Sequence, residues 1–144
     1  MIVALFALIA ATLFAGAALY ISLVEHPARL GLDDAAMLAQ WQPSYKAALP
    51  IQSGLAVLGG VLGLVAWYQT QDWRWLAGSI VLLANWPFTF LGIMPTNKRL
   101  MAMRAADASA ESSKLLHRWG KLHAVRSGLG SASAAIYAWA ILAS

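Results

Sequence analysis

Four apolar stretches, at 2–24, 49–68, 75–94 and 122–143, take up most of this 144-residue chain. Each supplies about 20 residues, the length an α-helix needs to cross a hydrocarbon layer roughly 30 Å thick. The chain is therefore read as all-α, a single four-helix transmembrane bundle. No soluble domain is left over. The connection at 69–74 is short enough for a tight turn between neighbouring helices. Residues 33–41 are expected to form a short interfacial helix between the first and second spans, capped by Asp33 or Asp34. Residues 98–118 mix apolar with charged side chains, which predicts helical extensions of the third and fourth spans into water.

Composition agrees with this reading and narrows the chemistry. The chain is 60% hydrophobic and 11% charged, with a mean hydropathy of +0.64, outside the range of soluble domains. The first stretch has no Lys or Arg before it and exceeds the apolar core of a secretion signal, so a retained helix is expected. Cysteine is absent, which excludes disulfides and thiol chemistry. Arg29, Lys46, Lys98, Arg99, Arg104, Lys114, Arg118 and Lys121 lie in or beside the first and third connections, against Arg74 alone on the other side. Basic residues concentrate on the cytoplasmic face, so both termini are expected outside the cytoplasm, with a bacterial inner membrane as the expected location. That bias accounts for the net charge of +4. It points to membrane lipids as partners and leaves no need for nucleic acid. The Gly59/Gly63 pair and the small residues at 15–18 and 127–135 suit close helix packing, within the bundle before a homo-oligomer.

The informative residues are polar ones at one depth. Trp119, His123 and Arg126 follow an i, i+4, i+7 spacing and share a helical face. Glu25-His26-Pro27 closes the first span on the same side. His26 or His123 can act as a base, and Glu25 can pair with Arg126. Alternatively Glu25, His26 and His123 can ligate a single transition metal ion. Haem between the two histidines is the weaker version, since His26 sits at a helix end. No Gly-rich nucleotide motif supports flavin or nicotinamide. Asn97 can cap a helix or bind a substrate oxygen, while Trp41 and Tyr45 can anchor at the interface or wall a pocket for a flat ring. Asn85-Trp86-Pro87, near the middle of the third span, reads either as a helix-to-helix glue or as the floor of a kinked polar cavity.

The order of four spans, Trp41 and Tyr45 ahead of the second, Pro95-x-Asn97-x-x-Leu100 after the third and Trp119-x-x-x-His123-x-x-Arg126 in the fourth together resemble the anthrone oxygenase-like family. The resemblance covers essentially the whole chain. It implies a small four-helix membrane protein and, from some fungal members, oxidation of polyketide anthrones to anthraquinones. On that basis His123 or His26 would take the acidic ring proton and Arg126 and Asn97 would hold the developing phenolate. Trp119 would stack on the rings, and a hydrophobic small-molecule substrate would enter from lipid. The competing expectation is a non-enzymatic scaffold or lipid-binding protein in which the same polar cluster only locks helix ends together.

Overall fold

The computed structural model describes residues 1–143. Four long helices run antiparallel to their neighbours: α1 (Ile2–Arg29), α2 (Asp34–Thr70), α3 (Trp73–Ala102) and α4 (Ala110–Leu142). α1 and α3 each pack between α2 and α4, giving a square bundle. The first three are long and apolar enough to cross a membrane, as a membrane protein requires. α4 has the length but carries His123, Arg126 and several serines on the face it turns inward.

The helix starts are capped in the ordinary way. Asp33 accepts from the Ala36 amide and Asp72 from the Arg74 amide, and Ser109 and Ser112 form a capping box. The turn between α2 and α3 is as tight as expected, with Gln71 in the left-handed region at φ 57°. Residues 33–41 differ from expectation, being the opening turns of the 37-residue α2. Pro43 is the sole helix breaker between Trp41 and Leu49, and its fixed φ is helical, so nothing there stops the helix. Met37, Leu38 and Trp41 are consequently buried over the bundle mouth.

Two prolines shape the other helices. A π-helical turn at Ile21–Glu25 ends two residues before Pro27, and another at Thr89–Ile93 ends two residues before Pro95. Each proline lacks the amide that would bond four residues back, and the helix widens locally where that bond is missing. α3 breaks once more at Ala84, where the Asn85 side chain donates to the Leu82 carbonyl at 2.9 Å.

Two apolar clusters result. One gathers Phe14, Leu82, Trp75 and Tyr137, and the other Ile21, Leu38, Trp41, Ile93, Leu116 and Trp119. Gly63 and Gly78 let the first close tightly, since a Cβ on Gly63 would lie 1.9 Å from the Tyr137 hydroxyl and one on Gly78 2.4 Å from its ring. The GxxxG pair is thus spent inside the bundle, with Gly59 against Leu82 and α1. Between the two clusters runs a layer of polar side chains, Gln52, Asn85, His123, Arg126 and Ser127 buried and Ser22 half-buried.

Candidate functional site

The polar layer and the aromatic cluster beside it form one connected site. Trp119 and His123 stack one turn apart on α4, centroids 4.8 Å apart, and Trp119 meets His26 of α1 at 5.0 Å. On α2, Trp41 and Tyr45 stack at 4.8 Å and 8°, and the Trp41 ring meets Trp119 edge-on at 5.7 Å. From α3, Asn97 reaches across as donor to the Tyr45 hydroxyl at 3.2 Å. Residues from all four helices therefore converge.

The two histidines are in different chemical situations. A backbone carbonyl only accepts, so the 2.9 Å contact to Leu116 fixes the proton of His26 on Nε2, and Nδ1 accepts from Arg29 at 2.8 Å. Neither nitrogen is left over. Gly120 allows this seat, because a Cβ there would come within 2.5 Å of the His26 ring. His123 makes one hydrogen bond, 3.1 Å from Nδ1 to Ser22 Oγ, and Ser22 meets Ser127 Oγ at 2.8 Å, which in turn donates to the His123 carbonyl. Counting protons around that ring, all three contacts are met when Nδ1–H donates to Ser22 and Ser22 donates to Ser127. Nε2 then carries a free lone pair.

Glu25 pairs with Arg29, one turn along its own helix, at 2.5 Å, and also accepts from Ser44. The expected Glu25–Arg126 pair is therefore replaced by an i,i+4 bridge, the shorter reach. Gln40 accepts from the same Arg29. With Glu25 held by two donors and both nitrogens of His26 engaged, Glu25, His26 and His123 do not form a ligand set. Among the described residues no group of three or more His, Cys, Asp or Glu side chains is gathered to hold a metal ion. His117 lies outside the site, exposed and bonded to Ser113.

Arg126 stands apart from the other buried cation. It is 8% exposed, its Nε has no partner, and no hydrogen bond or ion pair reaches its guanidinium from the described residues. Its one close neighbour of note is the Phe14 ring, 5.6 Å from Cζ. Four further buried atoms are unpaired: Trp41 Nε1, Trp119 Nε1, Asn97 Oδ1 and Asn85 Oδ1. All of them lie in the half of the bundle that holds Arg126 and Trp119; among the described residues no such atom lies around Tyr137. Unpaired buried polar groups are rare in folded proteins, and a cluster of them marks a place where a ligand completes the set.

Arg126 is also the wall shared by two cavities. The inner one, about 20 Å³, lies among Glu25, Arg29, Trp41, Tyr45, Trp119 and His123. That is room for about one water. The outer one, about 210 Å³, lies between α2 and α3 and is lined by Leu49, Ser53, Asn85, Trp86, Thr89 and Phe90. Glu25 and Arg29 in turn separate the inner cavity from a third, about 360 Å³, open at the bundle surface beside Tyr20 and Gln40.

The family model for anthrone oxygenase matches residues 41–136, more than half of the chain and all of the site outside α1. The chain belongs to the anthrone oxygenase family. Among curated relatives, an anthrone oxygenase of Claviceps purpurea is 29% identical over 142 residues, covering 89% of this chain and 82% of the relative. Anthrone oxygenase dmxR16 of Cryptosporiopsis sp. is 33% identical over 122 residues, covering 78% and 70%. Anthrone oxygenase tpcL of Aspergillus fumigatus is 42% identical over a shorter stretch of 55 residues, covering 36% and 34%. No solved structure matches.

In this anthrone oxygenase family member the structure brings His26, Trp41, Tyr45, Asn97, Trp119, His123 and Arg126 together, with Asn85 placed across the outer cavity from them. Sequence reasoning did not single out Ser22, Ser44, Gln52 or Gly120, nor Arg29 beyond its charge. Arg29 could have been found from its i+4 spacing to Glu25. Ser22 and Gly120 carry no local signal, because their roles depend on how closely α1 approaches α4.

Proposed function

We propose that the protein is a membrane-embedded oxidoreductase that uses dioxygen to oxidise an apolar aromatic substrate of the anthrone or quinol type. One observation carries this reading: Arg126, a buried cation without a protein partner, stands one helical turn from an imidazole with a free Nε2. An acidic ring CH₂ or O–H needs a base to take its proton and a cation to hold the resulting oxyanion, and here both are fixed on one helix face.

For an anthrone the step balances without a further reductant. His123 Nε2 takes one ring proton, and the electron pair delocalises onto the oxygen beside Arg126. The electron-rich ring passes an electron to dioxygen, and the two radicals join as a C–O bond. Loss of the second hydrogen from that carbon, with cleavage of the O–O bond, leaves a quinone carbonyl and water. His123 lines the inner cavity and Arg126 both cavities, so the inner cavity, with room for about one water, connects the substrate to Nε2. Glu25, on the wall to the surface cavity, is the exit. Asn97, holding the Tyr45 hydroxyl, and Trp119, stacked on His123, position these groups.

By the distribution of basic residues the site half faces the cytoplasm and both termini lie on the other side. The test is oxygen uptake by protein in lipid nanodiscs supplied with a hydroxylated anthrone. The expected result is a protein-dependent rate above autoxidation, one dioxygen consumed per quinone formed, abolished in His123→Ala. A rate no greater than that of empty nanodiscs would contradict the proposal.

A further inference from the structure

The outer cavity has its mouth on the flank of the bundle. Its rim includes Trp86 and Phe90, both exposed on the apolar outer face of α3, so it opens where a span meets lipid acyl chains. The backbone of α3 makes the room for it: the break at Ala84, Pro87 and the π turn at Thr89–Ile93 fall within ten residues of one another. At about 210 Å³ the cavity is smaller than ordinary ligand pockets, which start at roughly 300 Å³. It admits the edge of a planar ring system while the remainder stays in the membrane.

Besides the half-buried hydroxyl residues Ser53 and Thr89, two buried polar groups line this mostly apolar space, Arg126 and Asn85. Arg126 brings a positive charge that, among the described residues, no hydrogen bond or ion pair meets, with the Phe14 ring 5.6 Å from Cζ. Asn85, 2% exposed, commits its amide N–H to the Leu82 carbonyl, which fixes the amide orientation and leaves Oδ1 as an acceptor without a donor. The pair is complementary to a molecule bearing one ionised oxygen and one un-ionised hydroxyl. An apolar hydrocarbon would leave both groups unpaired, and a dianion would place charge against the Asn85 carbonyl.

We infer that this flank cavity is a substrate site entered from the lipid. There Arg126 binds the ionised oxygen of a fused-ring phenol, and Asn85 selects for a second, protonated hydroxyl by accepting its hydrogen bond. The inference rests on the proposed oxidation, but binding is read without turnover. The probes are a dihydroxyanthraquinone, which is stable in air, and its monomethyl ether, whose remaining hydroxyl is the one that ionises, titrated into nanodisc-held protein while tryptophan fluorescence is followed.

The parent should prefer the dihydroxy probe over the ether by roughly 10-fold, the size of one buried hydrogen bond. Asn85→Leu should erase that preference while keeping ether binding. Arg126→Gln should weaken the dihydroxy probe and restrict the loss to pH values at which the phenol is ionised. Ser53→Trp, which fills the cavity from α2 and leaves both polar groups in place, should abolish binding of both probes, and it serves if Asn85→Leu does not fold. An unchanged preference in Asn85→Leu, or full binding in Ser53→Trp, overturns the inference. Displacement of the probe by phosphatidylglycerol from the parent but not from Arg126→Gln would assign the cavity to a lipid phosphate and overturn it as well. Discriminating binding without oxygen uptake would leave the site standing and remove the oxidation. Uptake with undiscriminating binding would do the reverse.

Discussion

The bundle holds buried polar groups in both halves and treats them oppositely. Around Tyr137 the buried hydroxyls are met: that of Tyr137 donates to the Gly59 carbonyl and touches Ser79, while Ser133 donates to the Gly78 carbonyl. Glycines bring the helices against Tyr137, and a cavity in this half, about 280 Å³ between α1 and α2, is lined by apolar side chains such as Phe6, Leu13, Leu55 and Leu58. Around Arg126, five buried polar atoms are unpaired and two cavities share one wall. Polar burial alone therefore says little about function. Polar burial left incomplete, beside open space, is what distinguishes a site from a lock between helices.

The sharpest way to break this comparison is His123→Ala. The account expects oxygen-dependent turnover to fall by about 10²- to 10⁴-fold, the range for removing a general base. The ring is buried and stacked on Trp119, so its loss also lowers the melting temperature, and turnover is compared per folded molecule. Turnover close to that of the parent would move the base elsewhere. Next in size, Gly63→Ala places a methyl group on the Tyr137 hydroxyl and should cost about 1–3 kcal/mol of stability through overpacking. Activity per folded molecule should be retained, because His123, Arg126 and the cavities they line are in the other half. Equal unfolding curves for the two proteins would show that the Tyr137 half is looser than described.

Glu25→Gln is expected to act more gently. It keeps the shape of the Arg29 and Ser44 contacts and removes the proton-accepting charge, so turnover should slow several-fold while probe affinity stays level. An unaltered rate would send the proton out by another route. The smallest effect concerns the far turn. Arg74 beside Asp72 holds that carboxyl below the usual carboxylate range. Its stabilising contribution is therefore present above the unfolded carboxyl's pKa and lost as pH falls through the folded one. Acid titration of the melting temperature should show a slightly larger drop for the parent than for Asp72→Asn. Parallel curves would mean that the pair contributes nothing.

Much of this was legible in the sequence, for reasons that are local. The long, apolar helical character of the segments needs no tertiary information. The Trp119, His123 and Arg126 face follows from helical periodicity within one segment. Asn85-Trp86-Pro87 leaves two readings open, an amide joining helices and the floor of a polar cavity; Asn85 spends its N–H on Leu82 of its own helix and lines the outer cavity. What sequence could not supply is partner choice across helices. Nothing in Gly120 announces that His26 needs its space, and nothing in Ser22 announces that it orients His123, since both depend on the separation of α1 and α4. The independence of residues 33–41 was misjudged for the opposite reason: an amphipathic pattern before Pro43 reads as a separate helix, although proline is compatible with helical φ and α2 runs straight through.

The central claim is that Arg126 is left unpaired for a substrate and not for the fold, and the most direct test compares stability and turnover in Arg126→Met. Removing a buried charge that no protein group compensates should leave the melting temperature equal to or above that of the parent. Oxygen uptake with a hydroxylated anthrone should fall by about 100-fold or more, as for loss of an oxyanion donor. A variant that melts well below the parent yet keeps its activity per folded molecule would contradict the account, making Arg126 a structural group like Tyr137.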